Sequence, residues 1–150
     1  MADGKHRNDF YGDTVADKDT KPPIPAATVV LLKDRETGPE VLMLHRTSKV
    51  IFGGMWVFPG GRIDPEDYPA DGNLDVAASN AAARETMEEA SITVHTKEFV
   101  WFAHWTPPAI RSVRYTTWFF ATAIEDHETI RVDGSEIQAH AWINPSEAIE

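Results

Sequence analysis

The sequence predicts an α+β fold, an α/β/α sandwich built on a mixed central sheet. Three observations point to it. Short β-branched or aromatic runs recur along the chain between clusters of turn residues. One longer stretch, Ala77 to Ala90, is rich in Ala and Glu and contains no Gly or Pro, which is helix composition. Strands mixed with a single long helix suit a layered sandwich.

The elements follow in order. Met1 to Lys21 is charged and lacks periodic hydrophobicity. Residues 1–21 therefore read as a disordered arm, and 22–150 as the folded domain. Pro22, Pro23 and Pro25 mark the entry to that domain. Ala26 to Leu32 is a β-branched strand, Asp34 to Pro39 is turn chemistry, and Val41 to Leu44 is a second apolar run, which together predict a hairpin. Trp56-Val57-Phe58 is a short strand ended by Pro59-Gly60-Gly61, and Asp64 to Asn73 is a loop rich in Asp, Pro and Gly. Asp75 is the expected cap of the long helix. Phe99 to Trp105 and Thr116 to Ala123 are aromatic strands, broken apart by Pro107 and Pro108. Ala139 to Ile143 is a last strand. Asn144-Pro145-Ser146-Glu147 then opens a second helix, with Asn as cap and Pro in the first turn. That helix reads as cut short at Glu150, which leaves one sheet face for a further segment or a partner.

Composition narrows the function. A length of 150 residues suits one domain, and a 42% hydrophobic fraction suffices for a core. The 24 acidic and 14 basic residues leave a net charge of −10, which argues against a surface that coats nucleic acid. A small polyanion stays open as a ligand. A few Arg, Lys and backbone N–H groups can hold it, with cations bridging it to carboxylates. The absence of cysteine excludes disulfides, thiolate metal sites and cysteine nucleophiles. The six histidines form no zinc spacing. No run approaches a membrane span and no signal-peptide core precedes the domain, so a cytoplasmic location is expected.

The chemistry centres on Arg84-Glu85-Thr86-Met87-Glu88-Glu89. Glu85, Glu88 and Glu89 stand at i, i+3 and i+4, which puts them on one helical face. Val76, Ala83, Met87 and Ala90 are expected on the other, against a sheet. Carboxylates so placed repel one another. Arg84 is one group that offsets this, and a divalent cation with a preference for oxygen ligands is a stronger one. A solvated acidic face is the plain alternative. The Gly60-Gly61 pair between a strand and this helix favours a site, because paired glycines let backbone approach a ligand.

With these residues in hand, the sequence resembles the Nudix hydrolase superfamily. Gly61 matches the first motif position, and Arg84, Glu85, Glu88, Glu89 and Ile92 match its second half. Val41 to Arg46 and Trp142 to Ala148 are similar to family segments outside the motif. The sequence departs in three ways. Asp67 stands where the motif has Glu, sixteen residues separate Asp67 from Arg84 where the motif has seven, and Ser91 replaces a Gly after the helix. Ala103 to Pro107 and Thr117 to Phe120 resemble the branch of peroxisomal coenzyme A diphosphatase-like proteins and their bacterial relatives.

The resemblance implies a fold with a mixed sheet and a motif helix. It implies hydrolysis of the pyrophosphate bond in a nucleoside diphosphate linked to another moiety. Coenzyme A or an acyl derivative is one candidate substrate, and a binding or regulatory module with little catalysis is the competing reading. Mg²⁺ or Mn²⁺ is the implied cofactor, held by Glu85, Glu88, Glu89 and the Gly61 carbonyl. Glu85 is the first candidate for the base, Arg84 for orienting carboxylates, and Glu136 for a further acidic group. Arg46 and the Gly60 backbone are candidate contacts to substrate. The expected partner is a small-molecule diphosphate, with no membrane. The oligomeric state stays open, with a homodimer through the exposed sheet face as one option.

Overall fold

The computed structural model describes residues 21–50, 53–110, 113–125 and 129–149. The expected N-terminal arm falls almost wholly outside them, as do His6 and His127. Seven strands form one mixed sheet: β1 (Ile24–Lys33), β2 (Glu40–Arg46), β3 (Trp56–Val57), β4 (Gly60–Arg62), β5 (Val100–Trp105), β6 (Tyr115–Ala123) and β7 (Ile137–Ile143). One long helix, α1 (Leu74–Ala90), and a single turn, α2 (Pro145–Ala148), complete the element list among the described residues, with 3-10 turns at Pro65–Asp67 and Thr96–Glu98. The α+β fold and mixed sheet agree with the sequence.

β1 is the spine. It runs parallel to β6 from Ile24↔Tyr115 to Leu32↔Ala123. It is antiparallel to β2 at Leu32↔Val41 and Lys33↔Glu40, which is the expected hairpin. Its side chains alternate, with Ala27, Val29 and Leu31 buried and Thr28, Val30 and Leu32 half-buried between them, the period of two that a strand imposes. The main path runs β3-β2-β1-β6-β5, while β4 pairs with β1 and β7 with β2.

α1 covers the face that carries Val29, Leu31, Leu42, Leu44, Phe120 and Ile137. Each large aliphatic buried there contributes roughly 1.5–3 kcal/mol. The expected helix exists, but two details differ. Its cap is Asn73, whose Oδ1 accepts from the Val76 N–H at 3.1 Å. Asp75 lies inside the first turn, where its carboxylate accepts the Trp118 indole N–H at 3.0 Å and ties β6 to the helix. The packed face differs in part. Of the four residues expected on it, Ala90 is buried and Ala83 half-buried, but Val76 and Met87 are 43% and 45% exposed. Ala77, Ala78, Ala81, Ala82, Thr86 and also Glu89, expected on the opposite face, are buried. Small alanines let the helix sit close to β1 and β4, and the larger apolar residues are left outside.

Ser91 takes the left-handed conformation expected of the missing glycine, with φ 57°. Its N–H donates to the Met87 carbonyl and its hydroxyl to the Arg131 carbonyl, so local bonds offset the backbone cost. Gly60 and Gly61, expected in a turn with Pro59, instead begin a short strand, Gly60 to Arg62, paired with Ala26 to Thr28. The aromatic residues divide: Trp118 is buried, while Trp101 and Trp105 are 51% and 59% exposed. Asn144 caps α2 and Pro145 opens it, as the sequence predicts. Among the described residues no helix is long and apolar enough to cross a membrane.

Candidate active site

The fold brings the Gly60-Gly61 strand against the middle of α1. The Gly60 N–H donates to Glu89 Oε2 at 3.0 Å. A Cβ on Gly61 would lie 2.6 Å from Glu85 Cδ, and one on Gly60 would lie 2.7 Å from Thr28 Cα. Backbone leaves Gly60 no room for a side chain, whereas a side chain at Gly61 would displace the Glu85 carboxylate. β1 holds this strand from behind, and Thr28 Oγ1 donates to the Pro59 carbonyl at 2.7 Å. The glycine pair is thus a close approach of backbone to carboxylate.

The three glutamates do not share one environment. Glu89 is 3% exposed, the Glu85 side chain 16%, and the Glu88 side chain 57%. Burial pushes the Glu89 carboxyl up to about 8. The Gly60 N–H and the Arg46 charge oppose that rise, and Glu85 and Glu136 add to it. Burial likewise pushes Glu85 up to about 7, against the pull of Arg84 and with the repulsion of Glu88 and Glu136. Desolvation outweighs every opposing charge at both positions.

Arg84 is the brace of the site. Its Nε and Nη2 donate to the two oxygens of Asp67, each at 3.0 Å. Its Nη1 donates to Glu85 at 3.1 Å and to Glu88 at 3.2 Å. A further Nη2 bond reaches the Arg62 carbonyl at 3.1 Å. Asp67 raises the Arg84 pKa above its ordinary value, so the guanidinium stays charged. Asp67 is buried and also accepts the Asp64 N–H at 2.7 Å. The acidic residue considered for the first motif position therefore faces Arg84, and the lengthened loop returns to the helix through this pair. The Asp64-x-x-Asp67 spacing around Pro65 is a capping-box signal that could have located it in the sequence.

Arg46 and Glu136 approach from β2 and the loop before β7. Arg46 pairs in register with Ile137, and the Thr47 N–H donates to the Glu136 carbonyl at 2.8 Å. Asp133 Oδ1 holds this loop by accepting the N–H groups of Ser135, Glu136 and Ile137. The Arg46 Nε is buried with no hydrogen-bond partner among the described residues. All eight residues expected at the site thus converge on one region.

The donor set is all oxygen, from four carboxylates faced by two arginines, and this chemistry fits a hard divalent cation. Among the described residues no three His, Asp or Glu side chains converge closely enough to cage an ion as they stand. Glu85 and Glu88 are drawn to Arg84 instead.

Comparison with known proteins gives the family and the fold. The family model of the NUDIX domain matches residues 22–150. No curated protein matches. Among solved structures, a NUDIX hydrolase from Alicyclobacillus acidocaldarius is 22% identical with a TM-score of 0.70, over 85% of this chain and 81% of that one. An Ap4A hydrolase of C. elegans, solved as a binary complex, is 21% identical with a TM-score of 0.64, over 84% and 83%. The NUDIX domain of Shewanella oneidensis NrtR, complexed with ADP ribose, is 16% identical with a TM-score of 0.66, over 86% and 77%. At these identities the three structures share the fold.

Proposed function

This chain belongs to the Nudix family and is a pyrophosphohydrolase by that membership, and we propose that it uses Mg²⁺, or Mn²⁺, to cleave a nucleoside diphosphate linked to a second moiety. The observation that carries the proposal is the contact of Gly60-Gly61 with Glu85 and Glu89. Burying two carboxylates against backbone is costly, and groups perturbed in this way cluster at functional sites.

Glu85, Glu88 and Glu89 would hold the cation, with the Gly61 carbonyl as a further ligand. When bound, the cation supplies charge stabilisation to the phosphoryl oxygens and acidifies water. The chain's own groups do the rest. Glu85, with its raised pKa, is suited to take a proton from the attacking water near neutral pH. Arg84 positions Glu85 and Glu88 and is fixed in turn by Asp67. Arg46, whose charge acts on Glu89, binds a phosphate oxygen through its guanidinium. Glu136 adds negative potential that favours cation binding.

The Ap4A hydrolase and the ADP ribose complex among the similar structures suggest the substrate class to try first. The cytoplasmic location expected from the sequence stays part of the proposal. The test is chromatography of products from a panel of such compounds, coenzyme A included, with Mg²⁺ or with chelator. Mg²⁺-dependent release of a nucleoside monophosphate supports the proposal. An intact fold with no turnover of any member favours the binding-module reading.

A further inference from the structure

The sheet parts beside the glycine pair. Among the described residues β3 pairs only with β2, and β4 only with β1. Phe58-Pro59 joins the two strands, so the sheet divides there, next to Gly60. On the β3 side of this division stands a row of three side chains, one from each of three neighbouring strands. Trp56 of β3 lies opposite His45 of β2 in register, with ring centroids 4.9 Å apart. The Gln138 side-chain N–H of β7 donates to His45 Nδ1.

Gln138 reaches the row through an irregularity in its strand. Arg46 pairs with Ile137 and His45 with Ala139, so Gln138 is the extra residue of a β-bulge. Bulges concentrate next to active sites, where they re-aim a side chain. β3 is clamped at the same level: the Arg46 N–H donates to the Met55 carbonyl at 3.0 Å, and the Gly54 N–H to the Arg46 carbonyl at 2.9 Å. His45 props the indole at an interplanar angle of 45°. Trp56 stays 48% exposed, and Gln138 is exposed as well. The result is an open aromatic surface with an amide at its far end.

Each member of the row is close in sequence to a group of the proposed pyrophosphate site. His45 precedes Arg46, Gln138 follows Glu136 by two residues, and Trp56 precedes Gly60 by four. The Trp56 and Gly60 Cα atoms are therefore at most about 14 Å apart. The row itself spans about 10 Å, two strand spacings. We propose that Trp56, His45 and Gln138 bind the base of the substrate, and that this base carries an exocyclic amine beside a ring nitrogen, as adenine does. The proposal rests on the pyrophosphohydrolase reading, with the diphosphate at Gly60-Gly61 and the sugar crossing the division towards Trp56.

Stacking on an indole serves any base, because every base has a π-face. Gln138 adds the selection. One of its two amide hydrogens goes to His45 Nδ1. The other remains, next to Oε1, and this donor–acceptor pair matches adenine, donating to N7 and accepting from N6. A base with a carbonyl at that position sets oxygen against oxygen and forfeits the second bond. Because His45 Nδ1 accepts, the imidazole carries its proton on Nε2 and is neutral. The row therefore offers stacking and an amide edge without charge, while the charged groups stay with the phosphates.

The probe is AMP with Mg²⁺, titrated into the full chain by calorimetry, with IMP and ribose 5-phosphate for comparison. IMP has a carbonyl where AMP has the amine, and ribose 5-phosphate has no base. Wild type should bind AMP about 5–100-fold more tightly than IMP, and ribose 5-phosphate most weakly. Trp56→Ala should weaken AMP and IMP alike by about 5–100-fold. Gln138→Leu should bring AMP to the level of IMP. An NMR titration of the wild type is independent of how the variants fold: AMP should shift the Trp56 indole N–H, a signal identified by its absence in Trp56→Phe. No binding of AMP, an unmoved Trp56 indole, or equal affinity of wild type for AMP and IMP overturns the proposal. Turnover of a diphosphate with an unmoved Trp56 indole removes this base site and leaves the hydrolase reading standing. AMP binding that moves Trp56, with no turnover of any diphosphate, supports the base site and removes the hydrolase reading.

Discussion

Replacing Arg84 with Met removes the clasp on Asp67 while keeping a side chain of similar length. Asp67 is left with a side chain 4% exposed and, among the described residues, only the Asp64 N–H as partner. Breaking a buried ion pair by removing one member costs about 3–5 kcal/mol. The Arg84 side chain is 25% exposed, so solvent screens part of the attraction, and the lower end, about 3 kcal/mol, applies. In a chain of this length each 1 kcal/mol shifts Tm by about 2–4 °C. Arg84→Met should therefore melt about 6–12 °C below wild type. The assay is thermal unfolding by circular dichroism in chelator, so that cation binding plays no part. Asp67→Asn should cost less, because the amide still accepts one bond. The double variant should cost less than the sum, by about 1–3 kcal/mol, as residues in direct contact do. A drop of under about 2 °C for Arg84→Met, or strict additivity in the double variant, would refute the idea that this pair braces the site.

Two further outcomes follow from the same geometry. Gly61→Ala places a methyl against the Glu85 carboxylate, so kcat should fall by about 10–100-fold, as for groups that orient ligands, while circular dichroism keeps the wild-type spectrum; unchanged kcat would show that Glu85 has room to move. Glu89 has a folded pKa of about 8 against an ordinary 4.5, so the folded state holds its proton through a range where the unfolded state has lost it. In chelator, wild type should therefore lose stability relative to Glu89→Gln as pH rises from about 4.5 to about 8, and a constant difference in Tm across that range would contradict the burial argument.

The sequence shows some parts of this molecule plainly and hides others for physical reasons. The strands at Ala26–Leu32 and Val41–Leu44 and the helix through Ala90 are legible because local composition and tertiary structure agree. β4 is hidden because Gly-Gly-Arg has no strand preference, and pairing with Ala26 to Thr28 alone makes it a strand. The helix face misleads because size suggests that Val76 and Met87 are core. Close packing against β1 and β4 instead selects Ala77, Ala78, Ala81 and Ala82. Glu85, Glu88 and Glu89 are legible as a cluster through their spacing. Their unequal burial is not, because it depends on where Gly60 and Gly61 land. The role of Asp67 is hidden by the sixteen residues between it and Arg84, which only the folded loop brings together.

The most direct test of the central claim is Mg²⁺-dependent turnover of the best diphosphate substrate by wild type, Glu88→Gln and Glu89→Gln, with folding checked by circular dichroism. Both variants should fold and lose on the order of 100-fold or more in kcat, the scale expected when a group essential to the chemical step is removed. Folded variants that keep wild-type turnover would contradict it, and the carboxylate face of α1 would then not be the catalytic centre.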